Sequence, residues 1–317
     1  MRLLTWEDSG EEVSGLLWGA EAIPFTDLHS QLPSRLIDVV LNPDSQAILR
    51  EQFANLKSGK LYKKGIPIIQ GLKILPPLKP LTLRDAYTFR EHVRRARASR
   101  GQDVPPEYDM FPVYYYSNPL TVLGPGDLHI ASPFWDELDF ELELAIVIGK
   151  ECRDLQPTDF TDVVFGVTIW NDFTARHIQR REMKMNMGPH HGKEFASSMG
   201  PILVTMDEFE PYLIDTLEPG HTGKVFNLNF RIFINGNKVS EGTFRNQTWT
   251  FGEVLARASQ GVTLYPGEVF GSGTVGLGCL VELRQEGLYD RWLQPDDEII
   301  LEVENIGRLR NIVRKLD

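Results

Sequence analysis

The segment LDFELELAIVIG, residues 138–149, is the most informative part of the sequence, because it places Glu141-Leu-Glu143 inside an otherwise apolar run. Successive side chains of a β-strand point to opposite faces, so this spacing predicts a core strand with both carboxylates on one face. The other face is apolar and comprises Phe140, Leu142, Leu144 and Ile146. Two ionised carboxylates roughly 6.5 Å apart along a strand repel each other in a partly dry setting, unless a cation lies between them or one is protonated. A hard divalent metal would remove that repulsion.

The alternative for the Glu-x-Glu pair is an edge strand whose polar face lies in water, as in many half-solvated sheets. A third acidic residue favours the metal site over this alternative. Asp172 follows a second apolar run, VVFGVTIW at residues 163–170, at the point where a loop begins. Loops at strand ends are where binding and catalytic sites are usually built. We therefore expect Asp172 to converge on the same ion as Glu141 and Glu143.

Composition and charge limit the partners of the chain. The 317 residues are 42% hydrophobic, which is enough for a proper core, and they carry 33 Lys and Arg against 44 Asp and Glu, a net charge of -11. That balance works against general affinity for nucleic acid or for an anionic membrane, both of which need a basic surface. No stretch approaches the ~20 apolar residues that a membrane helix needs. We expect a soluble globular protein with a small-molecule substrate.

Cysteine usage and the amino terminus predict the compartment. Cys152 and Cys279 are the two cysteines of the chain, too few for a disulfide framework and without the spacing of a zinc site. The first ten residues, MRLLTWEDSG, contain acidic side chains and no apolar core of signal-peptide length. The expected location is therefore the reducing cytoplasm.

Two domains are predicted, a small amino-terminal one over residues 1–76 and a larger one over residues 77–317. In the first, short strands are expected near residues 1–6 and 12–18, and a helix is expected after Asn42-Pro43-Asp44. The proline-rich sequence LPPLKP at residues 75–80 stiffens the chain and indicates the boundary.

The larger domain is predicted to be β-rich, with one helix near residues 85–99 followed by many short strands. Asn235-Gly236 follows an alternating run and is a strong hairpin signal, because both turn positions favour positive φ. The predicted class is β-rich α+β. The expected strands are residues 120–130, 140–149, 163–170, 201–205, 226–234, 281–284 and 298–303.

Several separated motifs, taken in chain order, resemble the fumarylacetoacetate hydrolase family. Their agreement in order over residues 75–303 is specific, whereas any one of them alone would be unremarkable. The resemblance implies a mixed β-roll catalytic domain behind a small variable domain, and a homodimer. The motifs are Asp85-Ala-Tyr87 with His92, Glu141-Leu-Glu143, residues 171–179 (NDFTARHIQ), residues 192–195 (GKEF), Gly273-Thr274 and Glu282.

The resemblance also implies a metal site. In the family, the two glutamates of the E-x-E strand and the aspartate of the ND-x-[ST]-AR-x-x-Q motif bind the ion, and these match Glu141, Glu143 and Asp172. Fumarylacetoacetase-like members add an aspartate seven residues before the catalytic histidine, which matches Asp85 before His92. A set of carboxylate ligands suits a hard cation, so Mg²⁺ or Ca²⁺ is expected and Mn²⁺ is also compatible.

The chemistry implied is hydrolysis of a carbon–carbon bond beside a carbonyl, typically in a 1,3-diketo acid. His92 matches the general base that deprotonates water, and Glu282 matches the carboxylate that orients it. An unperturbed imidazole titrates near pH 6.5, which suits that role. A packed histidine and an ordinary solvated glutamate at a strand start are the alternatives for these two residues. Lys193 and Gln179 match the groups that hold the oxyanion, and Tyr87, Arg176 and Thr274 match substrate-contact positions.

The sequence also departs from the family's fumarylacetoacetases. The position nine residues after the catalytic histidine, where they place a substrate-binding arginine, is Gly101 here, with Arg97 and Arg100 nearby. Aromatic residues precede the E-x-E strand in the run YYYS, residues 114–117, which suggests a larger or more apolar substrate.

Three functions compete at this point. The first is metal-dependent hydrolysis of a 1,3-diketo acid or acylpyruvate-like substrate, which the pairing of His92 with Glu282 favours. The second keeps the metal and the scaffold but catalyses decarboxylation or a keto–enol or double-bond isomerisation, which needs no attacking water. The third is a non-catalytic small-molecule binding protein.

Overall fold

The computed structural model describes residues 1–68 and 71–316. The strands in these residues are β1 Arg2–Asp8, β2 Glu11–Trp18, β3 Glu21–Pro24, β4 Ile66–Pro67, β5 Lys73–Ile74, β6 Thr82–Ala86, β7 Tyr114–Ser117, β8 Val122–Leu123, β9 Gly126–Ile130, β10 Leu138–Asp139, β11 Leu142–Ile148, β12 Val164–Asn171, β13 Thr174–Ala175, β14 Ser197–Thr205, β15 Leu213–Asp215, β16 Lys224–Phe226, β17 Asn229–Ile234, β18 Asn237–Thr243, β19 Glu268–Gly271, β20 Glu298–Val303 and β21 Gly307–Lys315. The helices are α1 Phe25–Leu28, α2 Leu36–Leu41, α3 Pro43–Lys57, α4 Arg90–Ala98, α5 Phe160–Val163, α6 Arg176–Glu182, α7 His191–Glu194, α8 Phe251–Ser259 and α9 Leu280–Gln285. Across this described part, no helix has the length and apolar character required to cross a membrane.

Two mixed sheets dominate the molecule. In the larger one the strand order is β4-β3-β2-β1-β14-β12-β11-β19-β6-β7, with β5 paired to β1 and β8 paired to β14. In the smaller one the order is β18-β17-β20-β21-β9. Strand β19 pairs in parallel with β6 and antiparallel with β11. With the short helices, these sheets form the predicted β-rich α+β fold.

Strand β11 lies in the middle of the larger sheet and is buried on both faces. Leu144 and Ile146 pack into one hydrophobic core on the first face. Ala145 and Val147 pack into a second core on the opposite face. The edge-strand alternative for the Glu-x-Glu pair is wrong, because Glu143 has 0% exposed surface.

The amino-terminal residues build part of the larger sheet and much of its second core. Strand β1 pairs antiparallel with β14, with Leu3 opposite Leu203. Leu36 of α2 and Leu49 of α3 belong to the same core as Val147 of β11. The two segments predicted as domains therefore share one sheet and one core, and the boundary between residues 76 and 77 stays a prediction.

Two local predictions are confirmed by the backbone. Helix α3 begins at Pro43, and the Asn42 side-chain oxygen accepts hydrogen bonds from the backbone N–H groups of Asp44 and Ser45 at 2.9 and 3.2 Å. Asn235 and Gly236, with φ values of 50° and 78°, form the tight turn that joins β17 to β18. In both places, the decisive interactions are local and can be predicted from neighbouring residues.

Two other local predictions differ from the structure. The helix expected near residues 85–99 is present as α4 but begins only at Arg90, because the residues before it form strand β6, which pairs with β19 and β7. The strand expected over residues 281–284 is helix α9. The carboxylate of Asp139 accepts hydrogen bonds from the backbone N–H groups of Leu280 and Val281, at 2.7 and 3.1 Å, and so satisfies the first turn of that helix. In each case the deciding partner is far away in the sequence.

Candidate active site and metal centre

The register of neighbouring strands brings two acidic side chains onto one face of the larger sheet. Asp85 of β6 lies opposite Gly271 of β19 and opposite Tyr115 of β7. Gly271 in turn pairs with Ala145 of β11, two residues from Glu143. Paired residues of adjacent strands share a face, so Asp85 and Glu143 approach each other across two small residues.

Gly271 is required for this approach. A Cβ atom at this position would lie 2.2 Å from the Cζ3 atom of Trp170 and 2.7 Å from the Oε2 atom of Glu143. The same Glu143 oxygen accepts a hydrogen bond of 3.0 Å from the backbone N–H of Gly273. The absence of a side chain at Gly271 therefore leaves the space in which the Glu143 carboxylate lies.

Asp85, Glu143 and Asp172 form an acidic triad, in which one oxygen atom from each carboxyl group lies within 4.8 Å of the other two. All three residues are buried, with exposed fractions of 4%, 0% and 0%. Asp172 follows directly after β12, and its Oδ2 atom accepts a hydrogen bond of 3.0 Å from the Tyr115 hydroxyl. Within the described part of the chain, Asp85 Oδ1, Glu143 Oε1 and Asp172 Oδ1 have no hydrogen-bond partner.

Burial disfavours the presence of three negative charges in the acidic triad. It raises the pKa of Asp85, and together with the Asp85 and Asp172 carboxylates it raises the pKa of Glu143 well above its usual range. Burial also raises the pKa of Asp172 to about 7. A divalent cation would compensate this charge and provide a partner for the unpaired oxygen atoms. A buried oxygen atom without a partner otherwise costs roughly 1–3 kcal/mol in desolvation free energy. The donor set is all oxygen, so the residues present fit a hard cation.

Glu141, the fourth predicted metal ligand, lies beside the triad rather than within it. Its Oε1 atom accepts a hydrogen bond of 2.6 Å from Arg176, and its Oε2 atom accepts one from the Lys193 ammonium. Burial opposes ionisation of Glu141, but the Arg176 and Lys193 charges outweigh burial and hold its pKa below the usual range. Glu141 is therefore an anion that two cations already compensate.

Lys193 connects Glu141 to the triad. Its ammonium group donates hydrogen bonds to both Glu141 and Asp172, and its side chain is buried. Burial would lower the pKa of Lys193, but Asp172 and Glu141 outweigh it and raise the pKa above its usual range. An ammonium group carries three N–H donors, so one remains for a ligand in the adjoining cavity.

Arg176 and Gln179 share one face at the start of helix α6. Besides Glu141, Arg176 donates to Asp139 at 2.8 Å and to the Gln179 side-chain oxygen at 3.1 Å. Among the described residues, Asp172 is not a hydrogen-bond partner of Arg176. Because the Gln179 oxygen is engaged, its amide N–H groups are the part that can face a substrate.

His92 and Glu282 form a buried pair between helices α4 and α9. The His92 Nδ1 atom lies 3.1 Å from Glu282 Oε2, and their exposed fractions are 4% and 0%. Burial opposes the charge on Glu282, but His92 outweighs it and lowers the pKa of that carboxyl. An ionised Glu282 accepts a hydrogen bond from the Nδ1–H group of His92, so the neutral ring leaves Nε2 as its basic nitrogen. Glu282 is thus neither solvated nor at a strand start.

A cavity of about 200 Å³ is lined by His92, Glu141, Lys193 and Asp85, whereas Glu143, Asp172 and Glu282 lie behind its lining residues. Tyr87 packs its ring edge-on against His92 with a centroid distance of 5.8 Å, and burial raises the pKa of its hydroxyl. Arg97 and Arg100 of the α4 segment also line the cavity, although Gly101 occupies the position aligned with the family arginine. The predicted site residues that line it are Asp85, Tyr87, His92, Glu141, Arg176, Gln179, Lys193 and Thr274.

Two residues at the site were missed by sequence reasoning. Asp139 holds both Arg176 and the first turn of α9, and it continues the alternation of the Glu-x-Glu motif by two residues, a signal that could have been used. Tyr115 donates to Asp172, and burial raises its pKa well above the usual range. Only the pairing of β7 with β6 brings Tyr115 to the site, so no local pattern could have revealed its role.

The β-rich fold and the buried carboxylate site agree with the family that comparison with known proteins identifies. A family model described as fumarylacetoacetate (FAA) hydrolase C-terminal matches residues 82–314. The chain belongs to the fumarylacetoacetate hydrolase family. The matched region contains all eleven predicted site residues, from Asp85 to Glu282.

Curated relatives carry several activities in their names. Fumarylacetoacetase of Oryza sativa is 29% identical over 279 residues, which cover 71% of this chain and 64% of that protein. A mitochondrial oxaloacetate tautomerase of Rattus norvegicus is 31% identical over 205 residues, which cover 64% of this chain and 58% of that protein. The chain thus spans about three fifths of the length of these two relatives. A further relative, from Escherichia coli, is named as a bifunctional isomerase/decarboxylase, so the family is enzymatic but diverse in reaction.

Solved structures share the fold. The crystal structure of maleylpyruvate hydrolase from a Sphingobium species, in complex with manganese(II) ion and pyruvate, is 20% identical, with a TM-score of 0.70 and coverage of 100% of both chains. This likeness confirms the predicted fumarylacetoacetate-hydrolase-like fold.

Proposed function

We propose that this protein is a divalent-metal-dependent hydrolase that cleaves a carbon–carbon bond in a 1,3-diketo acid or acylpyruvate-like substrate. The observation that carries the proposal is the His92–Glu282 pair, because the His92 ring lines the same cavity as Asp85 of the acidic triad. Isomerisation and decarboxylation do not require a base that activates water, whereas hydrolysis does. The paired imidazole therefore favours hydrolysis among the reactions of the family.

Asp85, Glu143 and Asp172 would hold the metal, and Glu141 is the further ligand that the family resemblance implies. Mg²⁺ or Ca²⁺ suits these oxygen donors, and the Mn²⁺ named for the Sphingobium relative makes Mn²⁺ a reasonable probe. A bound ion would act as a Lewis acid toward the keto oxygen atoms of the substrate and would compensate the charge of the departing enolate. The pyruvate named for the same relative supports a keto acid as the ligand class.

His92 would remove a proton from water at Nε2, while Glu282 stabilises the imidazolium through Nδ1. The water oxygen would form the new bond to the attacked carbonyl carbon, and the adjacent carbon–carbon bond would break. Its electron pair would leave as an enolate, which takes up a proton to give the ketone. The second product is a carboxylate that carries one oxygen atom from water.

Lys193 and Gln179 would donate hydrogen bonds to the oxyanion that forms during attack. One well-placed donor of this kind is worth roughly 3 kcal/mol. Tyr87 and Thr274 line the cavity and would contact the substrate, while Arg176 holds the Glu141 carboxylate in place. Arg97 and Arg100 would supply positive charge for a substrate carboxylate.

The experiment assays the purified protein on a panel of acylpyruvates and fumarylacetoacetate-like compounds after chelator treatment and again after addition of Mg²⁺. We expect activity only with the metal. Reactions in ¹⁸O-labelled water should place one labelled oxygen in the new carboxylate. Turnover by protein that metal analysis shows to be metal-free would contradict the metal role, and unlabelled products would contradict hydrolysis.

A second candidate is a metal-dependent tautomerase or decarboxylase. It is supported by the relative named as an oxaloacetate tautomerase, which is 31% identical over 205 residues, against 29% over 279 residues for the fumarylacetoacetase. The same panel should include oxaloacetate, with keto and enol forms followed by absorbance and CO₂ release followed separately. Recovery of every compound unchanged after long incubation with metal would instead indicate a non-catalytic binding protein.

Assembly and location are also part of the proposal. The family resemblance implies a homodimer, and sedimentation equilibrium of the full chain would test it. Cys152 and Cys279 are both free thiols, which is compatible with a reducing cytoplasm. Fractionation of the source cells would test that location.

A further inference from the structure

A second cluster of potential metal ligands, separate from the acidic triad, lies on the Nδ1 side of the His92 ring. The Cys279 Sγ atom is 3.4 Å from Glu282 Oε2 and 3.9 Å from His92 Nδ1, and the latter two atoms are 3.1 Å apart. All three residues are buried, with Cys279 and Glu282 at 0% exposure. The proposed reaction assigns no role to the Cys279 thiol.

The spacing of these atoms suits a soft or borderline cation. A tetrahedral Zn²⁺ ion, with bonds of about 2.1 Å to nitrogen and oxygen and about 2.3 Å to sulfur, separates its ligand atoms by about 3.4 to 3.6 Å. The observed separations of 3.1, 3.4 and 3.9 Å lie within about 0.4 Å of those edges. Small side-chain shifts would therefore suffice to place one ion at bonding distance from all three atoms.

The second Glu282 oxygen is an independent indication of a ligand. Glu282 Oε1 is buried and has no hydrogen-bond partner in residues 1–68 and 71–316. Arg95 forms a long ion pair with this oxygen, since its Nη1 atom is 3.5 Å away, beyond the distance of a good hydrogen bond. A bound cation would stabilise a fully buried carboxylate of which one oxygen atom has no hydrogen-bond partner.

We propose that His92, Cys279 and Glu282 form a second, inhibitory metal site that takes Zn²⁺ or a cation of similar softness. A thiolate and a carboxylate together balance the charge of the ion, while the neutral imidazole supplies the third ligand. The acidic triad prefers a harder cation because it offers oxygen alone. The two sites should therefore fill with different metals when Mg²⁺ and Zn²⁺ are both present.

The consequence for catalysis rests on the proposed function. Coordination through Nδ1 displaces the proton that this nitrogen donates to Glu282. The neutral ring then carries its single proton on Nε2, and the thiol releases its own proton to solvent when the thiolate binds the ion. With Nε2 protonated, His92 no longer accepts a proton from water, so zinc should inhibit hydrolysis even when Mg²⁺ is saturating.

The test uses Co²⁺ as a spectroscopic substitute for Zn²⁺ in the full chain supplied with excess Mg²⁺. We expect wild type to show a thiolate-to-cobalt charge-transfer band in the near ultraviolet, with one equivalent of cobalt per chain, which Zn²⁺ then displaces. Cys279→Ser and Cys279→Ala should both lose the band. The matched control is Cys152→Ser, since it removes the other cysteine and should keep the band. Melting curves of all four proteins establish that they are folded.

Activity provides a second readout. Zn²⁺ at one equivalent should reduce wild-type and Cys152→Ser turnover by at least tenfold, and addition of more Mg²⁺ should not relieve the inhibition. Cys279→Ser should resist the same zinc concentration by at least tenfold. Absence of the cobalt band in folded wild type, or an equal band in Cys279→Ser, would overturn the inference. Because the band needs no substrate, its presence without hydrolysis would leave the second site standing and reject only the proposed function.

Discussion

At the scale of single residues, the ionisation of Glu282 sets the chemical state of His92. The 3.1 Å contact between them holds the ring proton at Nδ1, so the opposite nitrogen can act as the base. His92 touches none of the three carboxylates of the acidic triad by hydrogen bond or ion pair in the described residues. The base and the metal ligands are therefore separable by substitution.

Replacing the base should affect turnover and leave metal binding intact. We expect His92→Ala to reduce turnover by at least ~100-fold, the usual scale of general-base loss, with an unchanged affinity for Mn²⁺ measured by calorimetry. The control is His129→Ala, because His129 is exposed on strand β9 of the smaller sheet. Near-normal turnover in His92→Ala would exclude this residue as the base.

Asp139 links the two halves of the site through buried contacts. Its carboxylate accepts hydrogen bonds from Arg176 and from the first turn of α9, which carries Glu282. We expect Asp139→Asn to lower the free energy of unfolding by about 3 kcal/mol or more, because it removes one of the two carboxylates that compensate the buried Arg176 charge. Urea unfolding at neutral pH measures this loss.

The matched control for Asp139 is an exposed ion pair. Asp215 lies 3.4 Å from Lys224 and is 90% exposed, so Asp215→Asn should change the unfolding free energy by less than about 1 kcal/mol. Similar losses for the two variants would mean that the Asp139 contacts contribute no more than a surface pair.

At the scale of secondary structure, the elements specified by adjacent residues were predictable and those specified across the sheet were not. The period of two in residues 138–149 correctly predicted a core strand, and Asn42 correctly predicted the start of α3. The start of α4 and the helical state of α9 depend on β-pairing and on the Asp139 carboxylate, which are distant in the sequence. The alternation of residues along β11 predicts that the Glu141 and Glu143 carboxylates lie on one face of the sheet. It does not predict that Arg176 and Lys193 both donate hydrogen bonds to Glu141.

Strand β19 offers a prediction of its own, because a glycine there separates two acidic strands. In Gly271→Ala the new Cβ would collide with Trp170 and with the Glu143 carboxylate, at 2.2 and 2.7 Å. We expect the Glu143 side chain to move and the Mn²⁺ affinity to fall by at least tenfold in calorimetry. Stability should fall as well, since overpacking a core costs roughly 1–3 kcal/mol.

The control for Gly271 is a glycine near the site with room for a methyl group. At Gly276 the nearest atoms to an added Cβ are Glu91 Cβ and Arg95 Nη1, at 3.6 and 3.8 Å, which are ordinary contact distances. Gly276→Ala should therefore keep the Mn²⁺ affinity of wild type. Equal affinities in Gly271→Ala and wild type would show that the Glu143 carboxylate does not need this space.

At the scale of the whole molecule, the larger sheet holds the triad rigidly because both of its faces are covered. The amino-terminal helices cover one face through the core that contains Val147, and the smaller sheet lies on the side of the core that contains Ile146. The carboxylates of Asp85 and Glu143 are therefore almost shielded from water when they ionise. Their ionisation lowers the stability of the metal-free folded protein.

The stability of the metal-free protein should consequently fall as the pH rises toward neutrality. Carboxylates with lowered pKa values have the opposite effect, because their contribution to stability grows with pH. The pKa values of the triad are raised in the folded state, that of Asp172 to about 7 from 3.8, so the folded protein binds more protons than the unfolded one between these limits. The contribution of Asp172 is fully present below about pH 4 and is lost as the pH rises through about 7, and those of Asp85 and Glu143 change in the same direction. A divalent cation replaces the missing protons above that range.

We therefore expect the rise in melting temperature caused by Mg²⁺ or Mn²⁺ to be larger at pH 8 than at pH 5.5, measured at one fixed metal concentration. Taking the metal-induced difference at each pH cancels the carboxylates elsewhere in the chain, such as Asp297, whose pKa the Arg291 partner lowers against the effect of burial. In Asp172→Asn the triad loses one charge and one ligand, so the metal-induced rise should be small at both pH values. A rise in wild type that is equal at pH 5.5 and pH 8 would mean that the folded protein does not hold protons in place of the ion.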